Sequence, residues 1–359
     1  MKIAVACGGT GGHAFPGIAV ARELRERGHD VTVWCSGRDV ESSIMHAWDG
    51  ETFSTGARPL ALANSLMILR SIMRCRRMMV KSRPDVLLAM GSYSSLPPVL
   101  AARRYRVPIC LHEANTVPGR AVEFLARFAK SIAISFDVTA KYLAGANVVK
   151  TGLPVRSGIT GGKRFAFIPA GSFVVFVTGG SQGAHAVNML MKDALVMFKN
   201  ELDRRGGEGR RLYVVHQTGI ADEGMVMGAY AAAGIPARVH AFERDMADAF
   251  ASADITVARA GASTCFELAE CGKAALLIPL PTAMRNHQHF NAEAFAAAGA
   301  ADEGIQDKLS ARQICRYLLD KYDHPEKIAK MGSRIRAMAT SDAAKRVADL
   351  VERSANDKA

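Results

Sequence analysis

The sequence predicts an α/β fold with two domains, each built on a parallel sheet. Strand-like apolar runs alternate with helix-length segments along the whole chain, which is typical of parallel sheets covered by helices on both faces. Glycine-rich loops at Gly8–Gly12 and Gly179–Gly183 each follow an apolar run and open a helix-like segment, as in a mononucleotide-binding unit. The length of 359 residues is large for a single core, so we expect two such domains facing a central cleft.

The expected strands occur in two groups, one in each half of the chain. In the first half they are Lys2–Ala6, Val31–Cys35, Val86–Met90, Val107–Leu111, Ser131–Ile134 and Asn147–Lys150. In the second half they are Phe173–Thr178, Leu212–Gln217, Ala237–Ala241, Ile255–Ala258 and Ala274–Ile278. The glycine-rich segment Arg156–Ser172 lacks periodicity and indicates a boundary, so we expect domains at 1–157 and 158–340. A charged amphipathic helix is expected over 341–359, and its residues do not decide whether it packs back on the first domain.

Composition limits the partners and the compartment. Lys and Arg outnumber Asp and Glu by 46 to 34, which favours anionic partners, but no basic-aromatic interleaving indicates nucleic acid. The 7 cysteines show no C-x-x-C spacing, so we expect a reducing cytoplasm rather than disulfides or structural zinc. The strand-like start at Lys2 predicts no signal peptide, and no uncharged apolar run is long enough to predict a transmembrane helix.

Polar side chains near the strand ends of the first half are candidates for acid–base chemistry. His13 follows the first glycine loop, where an imidazole can act as a general base or bind phosphate, although helix capping also explains it. His112, Glu113 and Asn115 follow one expected strand, and Tyr93 follows another. Such positions line the ligand crevice of a parallel sheet, but a loop stabilised by its own hydrogen bonds explains them equally well.

The second half carries features suited to a nucleotide sugar. Small residues open a helix before Glu267, so its N–H groups can approach a diphosphate while the carboxylate accepts ribose hydroxyls; helix-dipole stabilisation alone also selects such a glutamate. Gln288 and Asn291 share one face of a later helix and suit sugar hydroxyls. His287 and His289 point different ways on that helix, and the chain has no Asp-x-Asp, so we expect no metal and no other cofactor.

The segment Leu60–Arg83 predicts a helix with an unusual distribution of charge. It contains no acidic residue, and its cations form an i, i+4, i+7, i+11 stripe of Arg70, Arg74, Arg77 and Lys81. An apolar stripe runs beside them, formed by Ile68, Ile72, Cys75 and Met79, with Leu66, Leu69 and Met73 adjacent. An interfacial helix on anionic lipid and an ordinary surface helix both explain the pattern, and the absence of acidic residues favours the membrane.

Two further classes of protein compete with a sugar-nucleotide enzyme. Gly9-x-Gly11-x-x-Ala14 fits a dinucleotide fingerprint, and Arg38 resembles a 2′-phosphate reader, which would indicate an NADP-dependent dehydrogenase. That hypothesis explains neither the second glycine loop nor the helix that carries Glu267. A membrane-surface scaffold would use the basic helix alone and leaves the polar strand ends unexplained.

Together, five motifs resemble the MurG family, the UDP-N-acetylglucosamine–N-acetylmuramyl-pentapeptide-pyrophosphoryl-undecaprenol N-acetylglucosamine transferases. They are Gly9-Thr10-Gly11-Gly12-His13, His112-Glu113-x-Asn115, Gly179-Gly180-Ser181-Gln182-Gly183-Ala184, Gly261-Ala262-x-Thr264-x-x-Glu267 and Gln288-x-x-Asn291-Ala292. The resemblance implies the GT-B fold and inverting transfer of GlcNAc from UDP-GlcNAc to the C4 hydroxyl of MurNAc in undecaprenyl-linked lipid I, giving lipid II in peptidoglycan synthesis. Another UDP-sugar-dependent GT-B enzyme, such as a glycolipid synthase or a 2-epimerase, is the alternative.

The resemblance also implies roles for individual residues. His13 or Glu113 would be the catalytic base, and Gly9, Tyr93 and His112 would lie on the acceptor side. The donor would contact Thr10, Gly11, Gly12, Asn115, Arg156, Ser181, Gln182, Phe242, Glu243, Ala262, Ser263, Thr264, Glu267, Gln288 and Asn291. The basic-apolar helix would bind an anionic membrane peripherally at the cytoplasmic face of the inner membrane. Other cell-wall synthesis proteins are further candidate partners.

Four positions depart from the family pattern. Ser92, Leu153 and Ala260 stand where the family usually has Gly, Asn and Ser. Glu243 occupies a position of the uracil pocket that is often aliphatic. We expect backbone groups to preserve donor recognition, with the pyrimidine contacts the most affected.

Overall fold

The computed structural model describes residues 1–9, 11–37, 48–59, 64–180, 183–206 and 209–356. The chain divides into two compact units, Met1–Ser157 with Thr340–Ala359, and Gly158–Ala339. Four residues singled out by the sequence lie outside the described ranges: Thr10, Arg38, Ser181 and Gln182.

The first unit is built on a seven-stranded parallel sheet. Its strands are β1 (Lys2–Ala6), β2 (Asp30–Cys35), β3 (Thr52–Ser54), β4 (Val86–Ala89), β5 (Ile109–Glu113), β6 (Ser131–Ile134) and β7 (Val148–Lys150). They pair in the order β3-β2-β1-β4-β5-β6-β7. Helices α1 (Gly11–Glu26), α2 (Ser65–Lys81), α3 (Leu96–Arg104) and α4 (Arg120–Leu125) lie in the connections. β4 and β6 are buried at every residue, as expected of a parallel sheet covered on both faces.

The second unit repeats this architecture with a six-stranded parallel sheet. Its strands are β8 (Phe173–Thr178), β9 (Leu212–Gln217), β10 (Ala237–His240), β11 (Ile255–Ala258), β12 (Ala275–Leu277) and β13 (Asp302–Glu303), paired in the order β10-β9-β8-β11-β12-β13. The helices are α5 (His185–Arg204), α6 (Glu223–Ala232), α7 (Met246–Ser252), α8 (Ala262–Cys271), α9 (His287–Ala297), α10 (Ala311–Asp323) and α11 (Pro325–Arg336). The buried side chains of α5, α6 and α10 join those of the strands in one apolar core.

The last helix, α12 (Ala343–Asn356), belongs to the first unit. Val347 and Val351 are fully buried in the core that α1 and the sheet form. The Arg27 guanidinium lies 2.6 Å from a carboxylate oxygen of Asp349 and 3.0 Å from one of Glu352. Apolar burial and charge pairing together therefore dock the end of the chain on the unit that begins it.

The main differences from the sequence-based expectation lie in short elements. β3 and β13 were not predicted, because strands of three and two residues carry no recognisable periodicity. β5 begins at Ile109 and continues through Glu113, so His112 and Glu113 are buried strand residues rather than residues of the loop that follows. Within the described ranges, no helix has both the length and the apolar character needed to cross a bilayer.

Candidate active site

Each sheet has one topological switch point, where the strand order reverses direction. In the first unit it lies between β1 and β4, and in the second between β8 and β11. Ligands of open α/β sheets bind in the crevice outside the carboxyl ends of the strands at such a point. The two glycine loops follow β1 and β8, so strand order places each at the switch point of its own unit.

The first switch point joins the loop after β1 to the loop after β4. Ser94, in a short 3-10 helix at Tyr93–Ser95, donates its hydroxyl to the carbonyl of Gly8 at 2.6 Å. Gly9 has φ +119°, and a Cβ there would lie 3.0 Å from Ser92 Oγ. The two loops are therefore in close contact, and a side chain at position 9 would be strained by the positive φ and would require Ser92 to shift.

His13 is held at this point by a hydrogen bond across the switch. Its Nδ1 lies 2.9 Å from the carbonyl oxygen of Met90, the residue that follows β4. A carbonyl only accepts, so Nδ1 carries a proton, and Nε2 is the nitrogen that holds the lone pair when the ring is neutral. The ring is half-buried, and its orientation and tautomer suit a general base.

Both carboxylate oxygens of Glu113 accept hydrogen bonds from the segment that follows β5. One carboxylate oxygen accepts the backbone N–H of Asn115 at 2.9 Å and its side-chain amide at 3.0 Å. The other accepts the backbone N–H of Gly119 at 3.0 Å. The side chain is 3% exposed, so this carboxylate orders the loop that carries Asn115.

His112 is a buried neutral imidazole beside the same loop. It is 1% exposed, and burial lowers its pKa to about 4, with a smaller contribution from His13. Nε2 lies 3.4 Å from the carbonyl oxygen of Gly152, and Nδ1 has no hydrogen-bond partner among the described residues. Among the buried side-chain nitrogen and oxygen atoms that the structure describes in the first unit, this one alone has no hydrogen-bond partner, as in a site that receives a polar ligand.

The remaining predicted residues of the first unit lie around these groups. Tyr93 and Asn115 are half-buried at the carboxyl ends of neighbouring strands β4 and β5. Gly11 and Gly12 form the first residues of α1. The Arg156 guanidinium lies 4.4 Å from the ring centroid of Phe15 on α1. Arg156 therefore packs against α1, the helix that follows the first glycine loop.

Ser92 adopts a backbone conformation that favours glycine. Its φ is 67° and its ψ is 167°, a region that is essentially restricted to glycine. This is the position at which the family usually has glycine, so the departure introduces backbone strain directly beside Gly9.

The second switch point is formed largely by main chain. Gly183 has φ +75°, and a Cβ there would lie 2.0 Å from the carbonyl oxygen of Thr218, so only glycine fits. By contrast, a Cβ at Gly180 or Gly261 would meet no described atom within 4 Å beyond the adjacent residues. The chain is therefore tightly packed at Gly183, whereas the space beside Gly180 and Gly261 is open.

The α8 helix starts beside the glycine loop because β8 and β11 pair, with Thr178 opposite Ala258. Gly261 is the N-cap, and Ser263 and Thr264 are half-buried in the first turn. Glu267 follows one turn later and is 3% exposed. The residues expected to contact the diphosphate and the ribose therefore follow two paired strands, at the carboxyl ends of the same sheet.

The Glu243 carboxylate is held by neighbouring groups of its own unit. Arg238 donates to its two oxygens at 2.8 and 3.0 Å, and the Asp245 N–H donates at 2.9 Å. Burial raises the pKa of the carboxyl, but these hydrogen bonds outweigh it, so the pKa of Glu243 lies below its ordinary value. Phe242 is 43% exposed, so its ring is accessible to a nucleobase.

Gln288 and Asn291 are oriented by the backbone of neighbouring loops. Gln288 Oε1 accepts the N–H of Leu280 at 3.0 Å, which directs its NH₂ group away from that loop. Asn291 is fully buried and donates its amide to the carbonyl of Ala260 at 3.1 Å. The geometry therefore favours Gln288 for a sugar contact and Asn291 for holding α9 against the turn before α8.

The two histidines at the start of α9 have separate partners. His289 pairs with Glu303 at 2.7 Å, and His287 bonds the carbonyl of Met284 at 2.8 Å. Across the described residues, no cluster of His, Cys, Asp and Glu has an arrangement that could hold a metal ion.

A buried network beneath the glycine loop had no sequence signal. His216 bonds Tyr230 Oη at 2.9 Å and Asn188 Oδ1 at 3.1 Å, and burial lowers its pKa to about 3. Asn188 in turn donates to the Thr218 carbonyl and to Asp222, each at 2.7 Å. These residues come from α5, β9, the loop after β9 and α6, and only the packing of these elements brings them together.

The basic helix α2 has a narrow inner face and a broad outer one. Ser71, Cys75 and Met79 are buried, so Cys75 and Met79 belong to the core rather than to the predicted apolar stripe. The outer face exposes Leu66, Met67, Leu69, Met73 and Val80 together with Arg70, Arg74, Arg77 and Lys81, while Ile68 and Ile72 are half-buried. A shallow depression between the apolar and cationic side chains is lined by Leu69, Arg70, Met73, Arg74 and Arg77.

Comparison with known proteins agrees with this geometry. Residues 3–134 match the model of the glycosyltransferase family 28 N-terminal domain, and residues 174–347 match that of its C-terminal domain. A curated relative from Pelobacter propionicus, named UDP-N-acetylglucosamine--N-acetylmuramyl-(pentapeptide) pyrophosphoryl-undecaprenol N-acetylglucosamine transferase, is 36% identical and covers 97% of this chain and 98% of its own.

The chain belongs to the MurG family of glycosyltransferases. The crystal structure of MurG from Acinetobacter baumannii has 28% identity and a TM-score of 0.77 over 98% of this chain and 100% of that chain. This confirms the expected GT-B fold of two Rossmann-like domains. A putative UDP-N-acetylglucosamine 2-epimerase from Listeria monocytogenes has a TM-score of 0.74 at 13% identity over 100% of this chain and 97% of its own, and shares the fold alone. Membership of the MurG family favours neither the epimerase nor the dehydrogenase alternative.

Proposed function

We propose that this chain transfers GlcNAc from UDP-GlcNAc to the C4 hydroxyl of MurNAc in lipid I, producing lipid II and UDP. The observation that carries this proposal is the 36% identity to a transferase of that name over nearly the whole chain. The two crevices support it, because one offers an oriented imidazole and the other an open helix N-terminus.

The second unit is proposed to bind the donor. The open N-terminus of α8 offers N–H groups to the diphosphate, and Ser181 and Gln182 of the glycine loop are assigned to it from the sequence. Glu267 is assigned to the ribose and Gln288 to the GlcNAc hydroxyls. Phe242 and the adjoining main chain are assigned to uracil, since the Glu243 carboxylate is engaged by Arg238.

The first unit is proposed to bind the acceptor and to supply the base. The C4 oxygen of MurNAc attacks the anomeric carbon, the bond from that carbon to the UDP oxygen breaks, and the hydroxyl proton passes to Nε2 of His13. We favour His13 over Glu113 because both oxygens of Glu113 already hold the 113–119 loop. Tyr93, His112 and Gly9 are assigned to the acceptor side.

Stabilisation of the leaving UDP is assigned to main-chain N–H groups rather than to a metal. The helix macrodipole places partial positive charge at the start of α8, where negative charge develops as the donor bond breaks. Activity that persists in excess chelator is expected, and activity restored only by added Mg²⁺ or Mn²⁺ would contradict this assignment.

The outer face of α2 is proposed to bind anionic lipid at the cytoplasmic face of the inner membrane. Its exposed apolar side chains can enter the interface while Arg74 and Arg77 meet headgroups. The double variant Arg74→Glu/Arg77→Glu is expected to weaken binding to anionic vesicles about tenfold or more. Arg312→Glu/Arg316→Glu, on an exposed face of α10, makes the same charge change as a control, and equal losses would contradict the proposal.

The central test is a transfer assay with radiolabelled UDP-GlcNAc and a lipid I analogue. UDP release and labelled lipid II are expected only when both substrates are present, and UDP-GalNAc should replace UDP-GlcNAc poorly. UDP release without lipid I, or formation of the 2-epimer of the donor, would support the alternative GT-B activities instead.

A further inference from the structure

Gln217 connects two segments to which the proposed function assigns separate parts of the donor. It is the last residue of β9 and is 3% exposed. β9 lies between β8 and β10, and the register places Gln217 opposite Thr178 on one side and His240 on the other. The glycine loop follows Thr178, and the Phe242 segment follows His240.

The side-chain amide of Gln217 bonds to both segments at once. Its Nε2 donates to the carbonyl of Gly180 at 2.6 Å, and its Oε1 accepts the N–H of Glu243 at 3.3 Å. A carbonyl can only accept and a backbone N–H can only donate, so these partners determine the orientation of the amide.

The Gly180 carbonyl is the centre of the loop's own hydrogen bonding. It also accepts the N–H of Gly183 at 3.0 Å, and the N–H of Gly180 donates to Thr178 Oγ1 at 3.1 Å. Gly180 has φ +86°, and no described side chain beyond its neighbours contacts the position of its missing Cβ. Gln217 therefore supports Gly180 from a side chain, at a position whose positive φ glycine adopts without strain.

The Glu243 N–H belongs to an equally constrained segment. The Glu243 carboxylate is held by Arg238 and by the N–H of Asp245, so the 243–245 turn is rigid on its own side. Through Gln217 this turn is connected to the glycine loop by a single buried amide. A displacement of either segment breaks one of the two hydrogen bonds of that amide.

We propose that Gln217 is a positioning residue that holds the glycine loop and the 242–245 segment at the separation required by UDP. The proposal rests on the assignment of donor binding to the second unit. Gln217 does not contact the reacting atoms in this view. Because Gln217 already holds both segments in place, UDP binding loses less conformational entropy in ordering them. Its loss should therefore weaken donor affinity more than it slows turnover.

Two substitutions test this through direct UDP binding. Gln217→Met keeps the side-chain length and removes both hydrogen bonds, and we expect the Kd for UDP, measured by calorimetry, to rise about tenfold. Gln217→Glu keeps the acceptor, but only its protonated form can donate to the Gly180 carbonyl. The ratio of its Kd to that of the unmodified chain should therefore rise with pH, whereas the ratio for Gln217→Met should not change.

A matched control separates positioning from loss of stability. Ser252→Ala removes a buried acceptor that the Phe165 N–H uses at 2.9 Å, in the same unit but outside the proposed donor site. It is expected to lower the melting temperature while leaving the UDP Kd within twofold. Steady-state assays should show an increased KM for UDP-GlcNAc and a kcat within about threefold for Gln217→Met.

The possible outcomes distinguish this inference from the proposed function. A Gln217→Met chain that binds UDP within twofold of the unmodified chain, or a Gln217→Glu ratio that does not depend on pH, overturns the positioning role alone. Failure of the unmodified chain to bind UDP overturns the donor assignment and this inference with it. If Ser252→Ala weakens UDP binding as much as Gln217→Met does, the positioning role is overturned, because general destabilisation would then explain the result.

Discussion

The switch point of the first unit presents polar side chains, whereas that of the second unit presents glycines and the open start of a helix. His13 is oriented by the Met90 carbonyl, and Ser94 connects the two loops there. In the second unit, Gly180 and Gly261 leave open space beside the glycine loop and the start of α8. One parallel-sheet topology thus supports two kinds of crevice.

The difference follows from what each half of the proposed reaction requires. A proton transfer needs a titratable side chain with a defined tautomer, and an imidazole bonded through Nδ1 meets that requirement. Binding a diphosphate needs N–H groups that phosphate oxygens can approach, and a Cβ would obstruct that approach. Substitutions at one switch point should therefore change kcat, and those at the other should change donor affinity.

The largest effect is expected from His13→Ala. Loss of the general base should reduce kcat by about 10²–10⁴-fold, while the Kd for UDP stays the same because the donor is assigned to the second unit. Rates with a lipid I analogue and calorimetry with UDP measure the two quantities. A near-normal kcat would indicate that another group accepts the proton, and Glu113 would be the first candidate.

Acid should destabilise both units through their buried histidines. The pKa of His112 is lowered to about 4 and that of His216 to about 3, chiefly by burial. Below the unfolded-state value of about 6.5, the unfolded chain binds protons that the folded chain does not, so stability falls with pH and levels off below the folded value.

For His112 the loss in the free energy of unfolding amounts to about 3 kcal/mol between pH 6.5 and 4. Denaturant titrations from about pH 7.5 to 4.5 measure the slope. His112→Gln and His216→Gln should each reduce it, with His216→Gln more destabilising at neutral pH because it breaks bonds to Tyr230 and Asn188. An unfolding free energy that does not depend on pH in this range would contradict the burial argument.

Glu267→Ala should act on the donor alone. Removal of the carboxylate assigned to the ribose is expected to raise KM for UDP-GlcNAc about tenfold with a smaller change in kcat. Glu270→Ala is the matched control, because Glu270 is equally buried one turn later on α8. An unchanged KM for Glu267→Ala, or equal increases in the two variants, would contradict the ribose assignment.

The smallest effect is expected from Ser92→Gly. Relief of the strained φ of 67° should raise the free energy of unfolding by about 1 kcal/mol, since glycine adopts this conformation without steric conflict. The neighbouring change Gly91→Ala should have the opposite sign, because Gly91 has φ +83°. Thermal unfolding compares the two, and a destabilised Ser92→Gly would indicate that the serine contributes more than its strain removes.

The sequence by itself determined the local elements and the chemistry they offer. Apolar runs separated by helix-length segments predicted the parallel sheets, and the loops at Gly8–Gly12 and Gly179–Gly183 predicted two phosphate-binding turns. These features were recognisable because strand burial, helix period and the freedom of glycine act over a few adjacent residues. The roles of His13, Glu267 and Gln288 stay predictions of the same kind.

Only the tertiary structure decided how those residues are used. The bond from His13 to Met90 spans 77 residues, and the amide of Gln217 meets its two partners only because β9 lies between β8 and β10. Glu113 orders its own loop, Glu243 is engaged by Arg238, and α12 returns to the first unit, none of which local pattern specifies. Such contacts depend on strand order and on which buried polar groups must find partners, and both are properties of the folded chain as a whole.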